Sequence, residues 1–372
     1  MNTPVFAGNE KKYLMDCIDT GWVSSGGAYI TQFEEKMAQI CDRKYATACT
    51  NGTAAIDIAI AALDIQPGDE FIVPSLTIIS CVTELARRGA IIVPVDCDES
   101  FNMDPALVRA AITDKTKGIM AVHIYHFPVD LDPILKVAEE HNLFVIEDTA
   151  EMIGQTYKGK PCGSFGHISC MSFYPNKHVT CGEGGMVLTN DPELHAKISK
   201  LRNLCFEPGK RRFLHFDIGW NCRMTNMQAA VGLAQAEVLE KTLSKKRHIG
   251  HYYTELLEGT EGLILPPRTR DGEENVYWVY AVVLDDVVAS KYDAEHVMGV
   301  LKKRGVDCRP FFLGMHEQPV LKTMNVLDTT KQCPRAERYA RNGFYIPSGL
   351  ALTDDQIRYV AEQVREVMAT LQ

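Results

Sequence analysis

The sequence predicts an α/β fold in which a large domain with a mainly parallel, mixed sheet precedes a small C-terminal α+β domain. Short, continuously apolar segments alternate with helix-length segments up to residue 147, a pattern typical of parallel strands that helices cover on both faces. Beyond about residue 260 the pattern changes to a polar, proline-containing connector and shorter elements. We therefore expect a large domain at 1–245 and a small domain at 246–372.

The composition argues against nucleic acid, metals and membranes as partners. The net charge is −9 and no long basic run is present, which disfavours nucleic-acid binding. None of the twelve cysteines has the spacing of a zinc or CxxC site, so we interpret them as reduced thiols and expect no metal site. The sequence shows neither a secretory signal nor the roughly 18 consecutive apolar residues of a membrane span. We therefore expect a cytoplasmic protein that does not associate with membranes.

Periodicity predicts the individual elements in order along the chain. Amphipathic helices are expected at 9–19 and 30–42, on either side of a loop that contains Trp22. A strand at 46–50 leads into an apolar helix. The next strands are predicted at 71–74, 91–95, 117–122 and 143–147, with helices at 77–88, 104–112 and 130–141. Later elements are predicted as strands at 168–174 and 186–189, a helix at 191–204, helical segments that end near 258, a strand at 277–284, and helices at 290–304, 334–342 and 354–370.

The turn Asn51-Gly52-Thr53 joins the first strand to the apolar helix and is a candidate anion site. The first amides of a helix have no intrahelical acceptor and carry the positive end of the helix dipole. A small residue such as Gly52 lets an anion approach these amides closely. Gly52 and Thr53 are therefore candidates for phosphate binding, although a simple helix cap by Thr53 would give the same pattern.

Two chemically active side chains follow strands of the predicted parallel sheet. Asp148 comes directly after the strand at 143–147, and His123 follows the strand at 117–122. Ligands of open parallel sheets bind beyond the carboxyl ends of the strands. Asp148 is thus expected at the same edge as the phosphate turn, while helix capping by Asp148 and a structural role for His123 are the alternatives.

Lys177 lies in a polar loop between two apolar strands, after Pro175 and before Gly182-Glu183-Gly184-Gly185. By itself it could be an ordinary surface lysine. A lysine amine, a carboxylate at a strand end and a phosphate turn are together what pyridoxal 5'-phosphate requires. The amine bonds to the cofactor aldehyde, the carboxylate keeps the ring nitrogen protonated, and the turn holds the phosphate.

Several segments resemble the sugar aminotransferases of the DegT/DnrJ/EryC1/StrS family. They are Asn51-Gly52-Thr53-Ala54-Ala55, Glu147-Asp148-Thr149-Ala150-Glu151, Ser172-Phe173-Tyr174-Pro175-Asn176-Lys177 and Asn221-Cys222-Arg223-Met224-Thr225-Asn226. The resemblance extends from about Gly21 to Ser348. It implies the fold-type-I architecture of pyridoxal phosphate enzymes, which is the aspartate-aminotransferase-like fold, and pyridoxal 5'-phosphate as the cofactor.

The resemblance also implies a role for each cofactor residue. Lys177 would form the Schiff base and later move the proton, and Asp148 would pair with the pyridine nitrogen. Glu151 would lie near the ring oxygen, and the phosphate would be held by Gly52, Thr53 and Ser172. Asn221 would reach the cofactor of a neighbouring subunit, which implies a homodimer with shared active sites. Ile78 stands where the family usually has an aromatic residue that stacks on the ring.

Five further residues are candidates for the substrate site. Arg309 and His316 match a segment that lies near the nucleotide sugar in the family. His178 follows the lysine directly. Trp22 lies in the loop at 21–29, and His123 lies at its strand end.

The function implied is transfer of an amino group from L-glutamate to a nucleotide-linked 4-keto-6-deoxyhexose, by ping-pong kinetics. A 3-aminotransferase and a 3-dehydratase of a nucleotide-linked keto sugar are the alternatives. In the dehydratase branch a histidine replaces the lysine, so Lys177 favours transamination. An alternative of another class is a regulator that binds the cofactor or the nucleotide sugar without turnover. Lys177 and Asp148 are both present, which disfavours that alternative.

Overall fold

The computed structural model of the chain describes residues 3–207 and 209–371. The helices are α1 (Glu10–Thr20), α2 (Ala28–Ile40), α3 (Gly52–Ala62), α4 (Thr83–Arg87), α5 (Pro105–Ala110), α6 (Leu131–Glu140), α7 (Pro192–Arg202), α8 (Asn226–Glu237), α9 (Leu239–Leu257), α10 (Asp286–Ala289), α11 (Ala294–Lys303), α12 (Pro319–Thr323), α13 (Pro334–Asn342) and α14 (Asp354–Thr370). Two short 3₁₀ helices are Ile79–Cys81 and Met315–Glu317.

The strands are β1 (Tyr45–Cys49), β2 (Glu70–Pro74), β3 (Ile91–Val95), β4 (Thr116–Val122), β5 (Phe144–Asp148), β6 (Thr156–Tyr157), β7 (Lys160–Pro161), β8 (Ile168–Ser172), β9 (Gly185–Thr189), β10 (Leu263–Ile264), β11 (Thr269–Arg270), β12 (Glu273–Glu274), β13 (Tyr280–Leu284), β14 (Arg309–Pro310) and β15 (Gly343–Ile346). The large sheet has seven strands in the order β1-β9-β8-β5-β4-β2-β3. The α/β class and the mainly parallel, mixed sheet predicted from the sequence are therefore confirmed.

Both faces of the large sheet are buried, which explains why its strands read as continuous apolar segments. In β4, Ile119 and Ala121 belong to one hydrophobic core, whereas Met120 and Val122 belong to the core on the opposite face. Because successive side chains of a strand point to opposite faces, a strand covered on both sides must be apolar at every position.

Pairing directions place four chain segments at one edge of this sheet. β4, β5 and β8 are parallel, β9 is antiparallel to β8, and β1 is antiparallel to β9. β1 therefore runs in the same direction as β5 and β8. Their last residues, Cys49, Asp148 and Ser172, lie at a common edge, where β9 begins with Gly185.

A second, antiparallel sheet in the order β10-β13-β15-β14 forms in the C-terminal part of the chain. The expected domain boundary at 245/246 falls inside α9. Leu243 packs into the core on one face of the large sheet, whereas Ile249 and Leu257 pack into the core of the small sheet. We propose that the change of domain takes place along α9, between Leu243 and Ile249.

One predicted helix is wrong in extent. The segment 77–88 forms a 3₁₀ turn, Ile79–Cys81, and then the short helix α4, because the backbone at Val82 (φ −122°) leaves the helical conformation. None of the helices in the described part of the chain combines the length and the hydropathy that crossing a bilayer requires.

Candidate active site

A cavity of 690 Å³ opens at the edge where β1, β5 and β8 end. This volume is within the range of small-molecule and cofactor sites. Seven of the eight residues that were expected to hold a cofactor lie in its wall, namely Gly52, Thr53, Ile78, Asp148, Glu151, Ser172 and Lys177, whereas Asn221 does not.

Asp148 presents a buried carboxylate at the end of β5. Its Oδ1 accepts a hydrogen bond from the amide of Ala150 (3.0 Å), and its Oδ2 accepts one from the thiol of Cys81 (3.4 Å). Burial raises the pKa of Asp148, while the amide of Ala150 and the charge of Lys177 act in the opposite direction. A cation placed against this carboxylate would relieve the cost of burying it.

Lys177 and Glu151 form an electrostatic pair inside the cavity. Burial lowers the pKa of Lys177, and the carboxylates of Glu151 and Asp148 partly offset that effect. Burial also raises the pKa of Glu151, whose Oε2 accepts a hydrogen bond from the amide of Tyr125 (2.7 Å). A lysine whose pKa is lowered supplies more neutral amine near neutral pH and is therefore a better nucleophile and base.

The N-terminus of α3 forms an anion cradle. The cap residue Asn51 accepts the amide of Ala54 through Oδ1 (2.8 Å), so the earlier amides of Gly52 and Thr53 precede the intrahelical hydrogen bonds. A Cβ atom at Gly52 would lie 2.7 Å from Cβ of Ser172. Only glycine therefore leaves the space between the helix start and Ser172 open for an anion.

These residues fit pyridoxal 5'-phosphate by their chemistry. Lys177 offers an amine for the aldehyde, and Asp148 offers a buried carboxylate for the ring nitrogen. The cradle at Gly52, Thr53 and Ser172 offers amides and a hydroxyl for the phosphate. Ile78 also lines the cavity, with 43% of its surface exposed, and can lie against a ring face through its aliphatic side chain.

The wall contributed by the C-terminal part of the chain was not predicted from the sequence. Trp278, Phe312 and Tyr345 line the cavity opposite the sheet edge. The amine of Lys177 lies 3.8 Å from the centre of the Trp278 ring. The only available signal was the aromatic segment Tyr277–Tyr280, whose pattern indicates a strand and not a site.

Two predicted substrate residues are structural. His123 is fully buried, its Nε2 contacts Oε1 of Glu147 (2.9 Å), and its Nδ1 accepts the amide of Val129 (3.2 Å). The prediction for His123 is corrected because both ring nitrogens are engaged away from the cavity. His178 is also buried outside the cavity wall, and burial lowers its pKa to about 3. Because its ring does not line the cavity, the structure does not support direct substrate contact by His178 within one chain.

Arg309 and His316 also lie outside the cavity wall of their own chain. Arg309 contacts Oδ2 of Asp307 (3.1 Å) and donates to the carbonyl of Cys308 (3.0 Å). His316 lies between the hydroxyl of Ser75 (2.6 Å) and a carboxylate oxygen of Glu337 (3.0 Å). Because neither side chain lines the cavity, the structure does not support direct substrate contact by Arg309 or His316 within one chain.

Trp22 and Asn221 are exposed on the single chain. Trp22 is 61% exposed and lies between α1 and α2, away from the cavity. The Oδ1 atom of Asn221 accepts hydrogen bonds from Nε (3.0 Å) and Nη2 (2.7 Å) of Arg223. The neighbours of Asn221, Trp220 and Cys222, line the cavity, while Asn221 itself does not. A contact of Asn221 with the site of a second subunit is compatible with this exposure.

Comparison with known proteins gives a consistent match over almost the whole chain. The model of the DegT/DnrJ/EryC1/StrS aminotransferase family matches residues 5–365. GDP-perosamine synthase of Caulobacter vibrioides is 40% identical over 366 residues, which cover 98% of this chain and 97% of that protein. GDP-perosamine synthase of Vibrio cholerae is 37% identical over 363 residues, which cover 97% of each chain.

A solved structure agrees in fold as well as in sequence. The crystal structure of DesV from S. venezuelae, in complex with a ketimine intermediate, is similar with a TM-score of 0.87 and 30% identity. The match covers 97% of this chain and 94% of DesV.

Proposed function

We propose a reaction for this chain from the premise that it belongs to the DegT/DnrJ/EryC1/StrS aminotransferase family. The chain transfers an amino group from L-glutamate to C4 of a GDP-linked 4-keto-6-deoxyhexose. The product is the 4-amino-4,6-dideoxy sugar nucleotide. The enzyme is a nucleotide-sugar aminotransferase and its cofactor is pyridoxal 5'-phosphate. The choice of GDP and of position 4 rests on the relatives named GDP-perosamine synthase, whose similarity extends over nearly the full chain.

The observation that carries the proposal is the amine of Lys177 in a cavity that also holds Asp148 and the anion cradle. When bound, the cofactor supplies an aldehyde for this amine and a ring that takes up electrons. We assign Asp148 to the ring nitrogen, Glu151 to the ring oxygen, and the cradle at Gly52, Thr53 and Ser172 to the phosphate. Ile78 covers a ring face.

The environment of Lys177 supports a second task, which is proton transfer. An amine that carries no bond to the cofactor would move one proton within each half-reaction, between the carbon of the substrate and the carbon of the cofactor. It would remove the proton from the amino donor in the first half-reaction and deliver one to the sugar carbon in the second. Burial lowers the pKa of Lys177, so its amine releases a proton more readily than the amine of a solvent-exposed lysine. The buried carboxylate of Glu151 raises the pKa of Lys177 and stabilises its protonated form between these steps.

Transamination is favoured over 3-dehydration because position 177 is a lysine whose amine reaches the cavity. A histidine at this position could not bond to the cofactor aldehyde in the same way. The 3-aminotransferase remains the second candidate, since relatives named as 3-aminotransferases are 32–33% identical to this chain.

We propose that the enzyme is a homodimer with shared sites, in which Asn221 contacts the cofactor phosphate of the partner subunit. The exposure of Asn221 next to the cavity residues Trp220 and Cys222 supports this assignment. We also propose a cytoplasmic location. All twelve cysteines are free and eleven are buried, which fits a reducing compartment.

The test is a pair of half-reactions followed by absorbance. L-glutamate should bleach the visible band of the cofactor-loaded enzyme, and a GDP-linked 4-keto-6-deoxyhexose should restore it. UDP- and dTDP-linked 4-keto sugars and 3-keto sugars are the comparison substrates. A band that glutamate does not change would contradict transamination, and restoration only by a 3-keto sugar would favour the second candidate.

Lys177→Ala provides the matched variant for this test. It should lose the covalent link to the cofactor and fall by more than about a thousand-fold in turnover, because nucleophile and base are removed together. Lys12→Ala, at an exposed position of α1, is the control and should retain both the covalent link and the turnover of the wild type. Full activity of Lys177→Ala would refute the role proposed for Lys177.

A further inference from the structure

We propose that the face of the Trp278 indole is the docking site for the amine of Lys177 whenever that amine is not bonded to the cofactor. The inference rests on the proposed function, in which Lys177 is released from the cofactor during each half-reaction. Trp278 is therefore assigned as a positioning residue that acts through Lys177.

The first observation is the contact itself. The amine of Lys177 lies 3.8 Å from the centre of the Trp278 ring, and both side chains line the same cavity. A cation this close to an indole face is attracted by the negative face of the ring, and the attraction is strongest where water is excluded. The interaction holds the charged amine without a hydrogen-bond acceptor, so the amine can leave the ring face easily when it is needed.

The second observation is that the indole is fixed on several sides. Its Nε1 donates to the carbonyl of Asn176, the residue directly before the lysine (3.1 Å). The carbonyl of Trp278 accepts a hydrogen bond from the buried amine of Lys246 (2.8 Å), which also donates to the carbonyl of Ser348 (2.7 Å). The ring planes of Trp278 and Tyr125 are nearly parallel, at 6°. The ring and the lysine loop are thus held as one unit.

The third observation concerns the other groups that face Lys177. The carboxylates of Glu151 and Asp148 and the thiol of Cys81 act on the charge of Lys177. Burial and the charges of Lys246 and Lys177 in turn lower the pKa of His178. Glu151 and Asp148 stabilise the charged amine through their negative charge. Trp278 adds a direct contact to this stabilisation, so removing the indole leaves the charged amine less stabilised.

The experiment measures how the free amine of Lys177 ionises in each variant. Full-length enzyme freed of cofactor is mixed with pyridoxal 5'-phosphate, and the rate of bond formation is followed by absorbance as a function of pH. The midpoint of this profile reports the protonation of Lys177. Removing a partner that stabilises the cation lowers its pKa, so Trp278→Leu should shift the midpoint down by about one pH unit.

Two further variants make the test specific. Trp278→Phe keeps a ring with a weaker negative face and should shift the midpoint about half as far. Trp220→Leu removes the other indole of the cavity wall, which does not contact the lysine amine, and should leave the midpoint unchanged. If Trp278→Leu does not fold, the Phe variant decides, since it retains most of the buried volume.

The outcomes separate this inference from the proposed function. If the wild-type enzyme forms no bond with the cofactor, the proposed function fails. If the wild-type bond forms and the midpoint is the same in Trp278→Leu or Trp278→Phe, the docking role of Trp278 is refuted. A midpoint that shifts equally in Trp220→Leu would also refute it, because the effect would then be a general one of the cavity wall.

Discussion

At the scale of single residues, Lys246 has an unusual environment. The residue retains only 3% of its exposure, and its amine donates to the carbonyls of Trp278 and Ser348. Lysine is rarely buried this completely unless a carboxylate lies beside it. No such carboxylate forms an ion pair with Lys246 in the part of the chain that the structure describes. Burial accordingly lowers the pKa of Lys246 from 10.5 to about 7.

This environment predicts a pH-dependent stability. Between the folded and unfolded pKa values of Lys246 the unfolded chain binds more protons than the folded chain, so the contribution of Lys246 to stability rises with pH. We expect the free energy of unfolding of the wild type, relative to Lys246→Met, to rise by about 2–3 kcal/mol from about pH 7 to about pH 9.5. Urea unfolding of both proteins across this range measures the difference.

Lys115→Met, at an exposed loop position, is the control for this prediction. Its difference from the wild type should stay constant over the same pH range. A constant difference for Lys246→Met would show that Lys246 is not held in a desolvated state. A difference that falls as the pH rises would give the opposite sign and would contradict the assignment directly.

The same scale shows which site residues a sequence can reveal. The placement of Asp148 and Ser172 at the cavity follows from their position at strand ends, because pairing direction alone brings those ends together. His123 directly follows β4, and His178 directly follows Lys177. Both side chains are nevertheless buried and do not line the cavity. Side-chain direction depends on tertiary packing, and neither periodicity nor a motif encodes it.

At the scale of secondary-structure elements, the start of α3 is the feature that sets phosphate binding. Gly52 is the first residue of the helix, and Ser172 at the end of β8 faces it closely. A methyl group at position 52 would fill the space in which the helix amides meet an anion. The cradle therefore depends on two elements that meet across the sheet edge.

Replacing Gly52 with alanine should weaken phosphate binding selectively. We expect the Kd for pyridoxal 5'-phosphate to rise roughly 10- to 100-fold, the loss that follows from weakening hydrogen bonds to a charged group. Binding of pyridoxal, which has no phosphate, should change little. Equilibrium titration of both ligands, followed by absorbance, compares the two directly.

Gly299→Ala is the matched control because Gly299 lies in α11 with no atom within 4 Å of its added Cβ. It should leave both affinities unchanged and raise stability slightly, by about 0.5–1 kcal/mol, through the better helix propensity of alanine. An equal loss of pyridoxal and pyridoxal 5'-phosphate binding in Gly52→Ala would indicate general damage to the site and would contradict a phosphate cradle.

The element boundaries show where sequence reasoning fails for physical reasons. The aromatic and β-branched segment 277–284 predicts one strand, but β13 begins only at Tyr280. Tyr277 adopts a left-handed backbone (φ 49°), and its amide donates to Oδ1 of Asn275 (2.7 Å). This turn takes Trp278 out of the strand pattern and into the cavity wall. A local hydrogen bond thus overrides strand propensity.

At the scale of the whole molecule, several large apolar side chains face solvent in the single chain. Phe213 is 74%, Phe216 63% and Ile218 89% exposed, and these residues precede the cavity residue Trp220. Trp22 is 61% exposed as well. Exposed large apolar residues that follow one another closely along the chain, as Phe213, Phe216 and Ile218 do, are typical of a surface that another protein covers. A second copy of the chain is the partner that the proposed homodimer supplies for this surface.

The sequence predicts the overall architecture better than it predicts this exposed apolar surface. Apolar strands alternating with helices lead directly to a parallel sheet covered on both faces. The antiparallel placement of β9 between β1 and β8 depends on long-range pairing that the local pattern does not contain. The same limit applies to contacts between chains, which a local sequence pattern does not contain either.

A complementation experiment tests whether Asn221 serves the site of the partner subunit. Lys177→Ala removes the cofactor amine, and Asn221→Glu places a carboxylate where the cofactor phosphate is proposed to lie, so each homodimer should be inactive. If Asn221 acts in the opposite subunit, a mixed dimer has one site with both defects and one site with none. Half of randomly mixed dimers are of this kind, so activity should return to about a quarter of the wild-type value.

The result depends only on which chain supplies each residue. If Asn221 acts within its own chain, every site of the mixed dimer keeps one defect and no activity returns. Unfolding and remixing each variant alone is the control for recovery during the procedure. Asn221 is exposed in the single chain, whereas its neighbours Trp220 and Cys222 line that chain's cavity. Restored activity would therefore assign Asn221 to the cofactor site of the partner subunit.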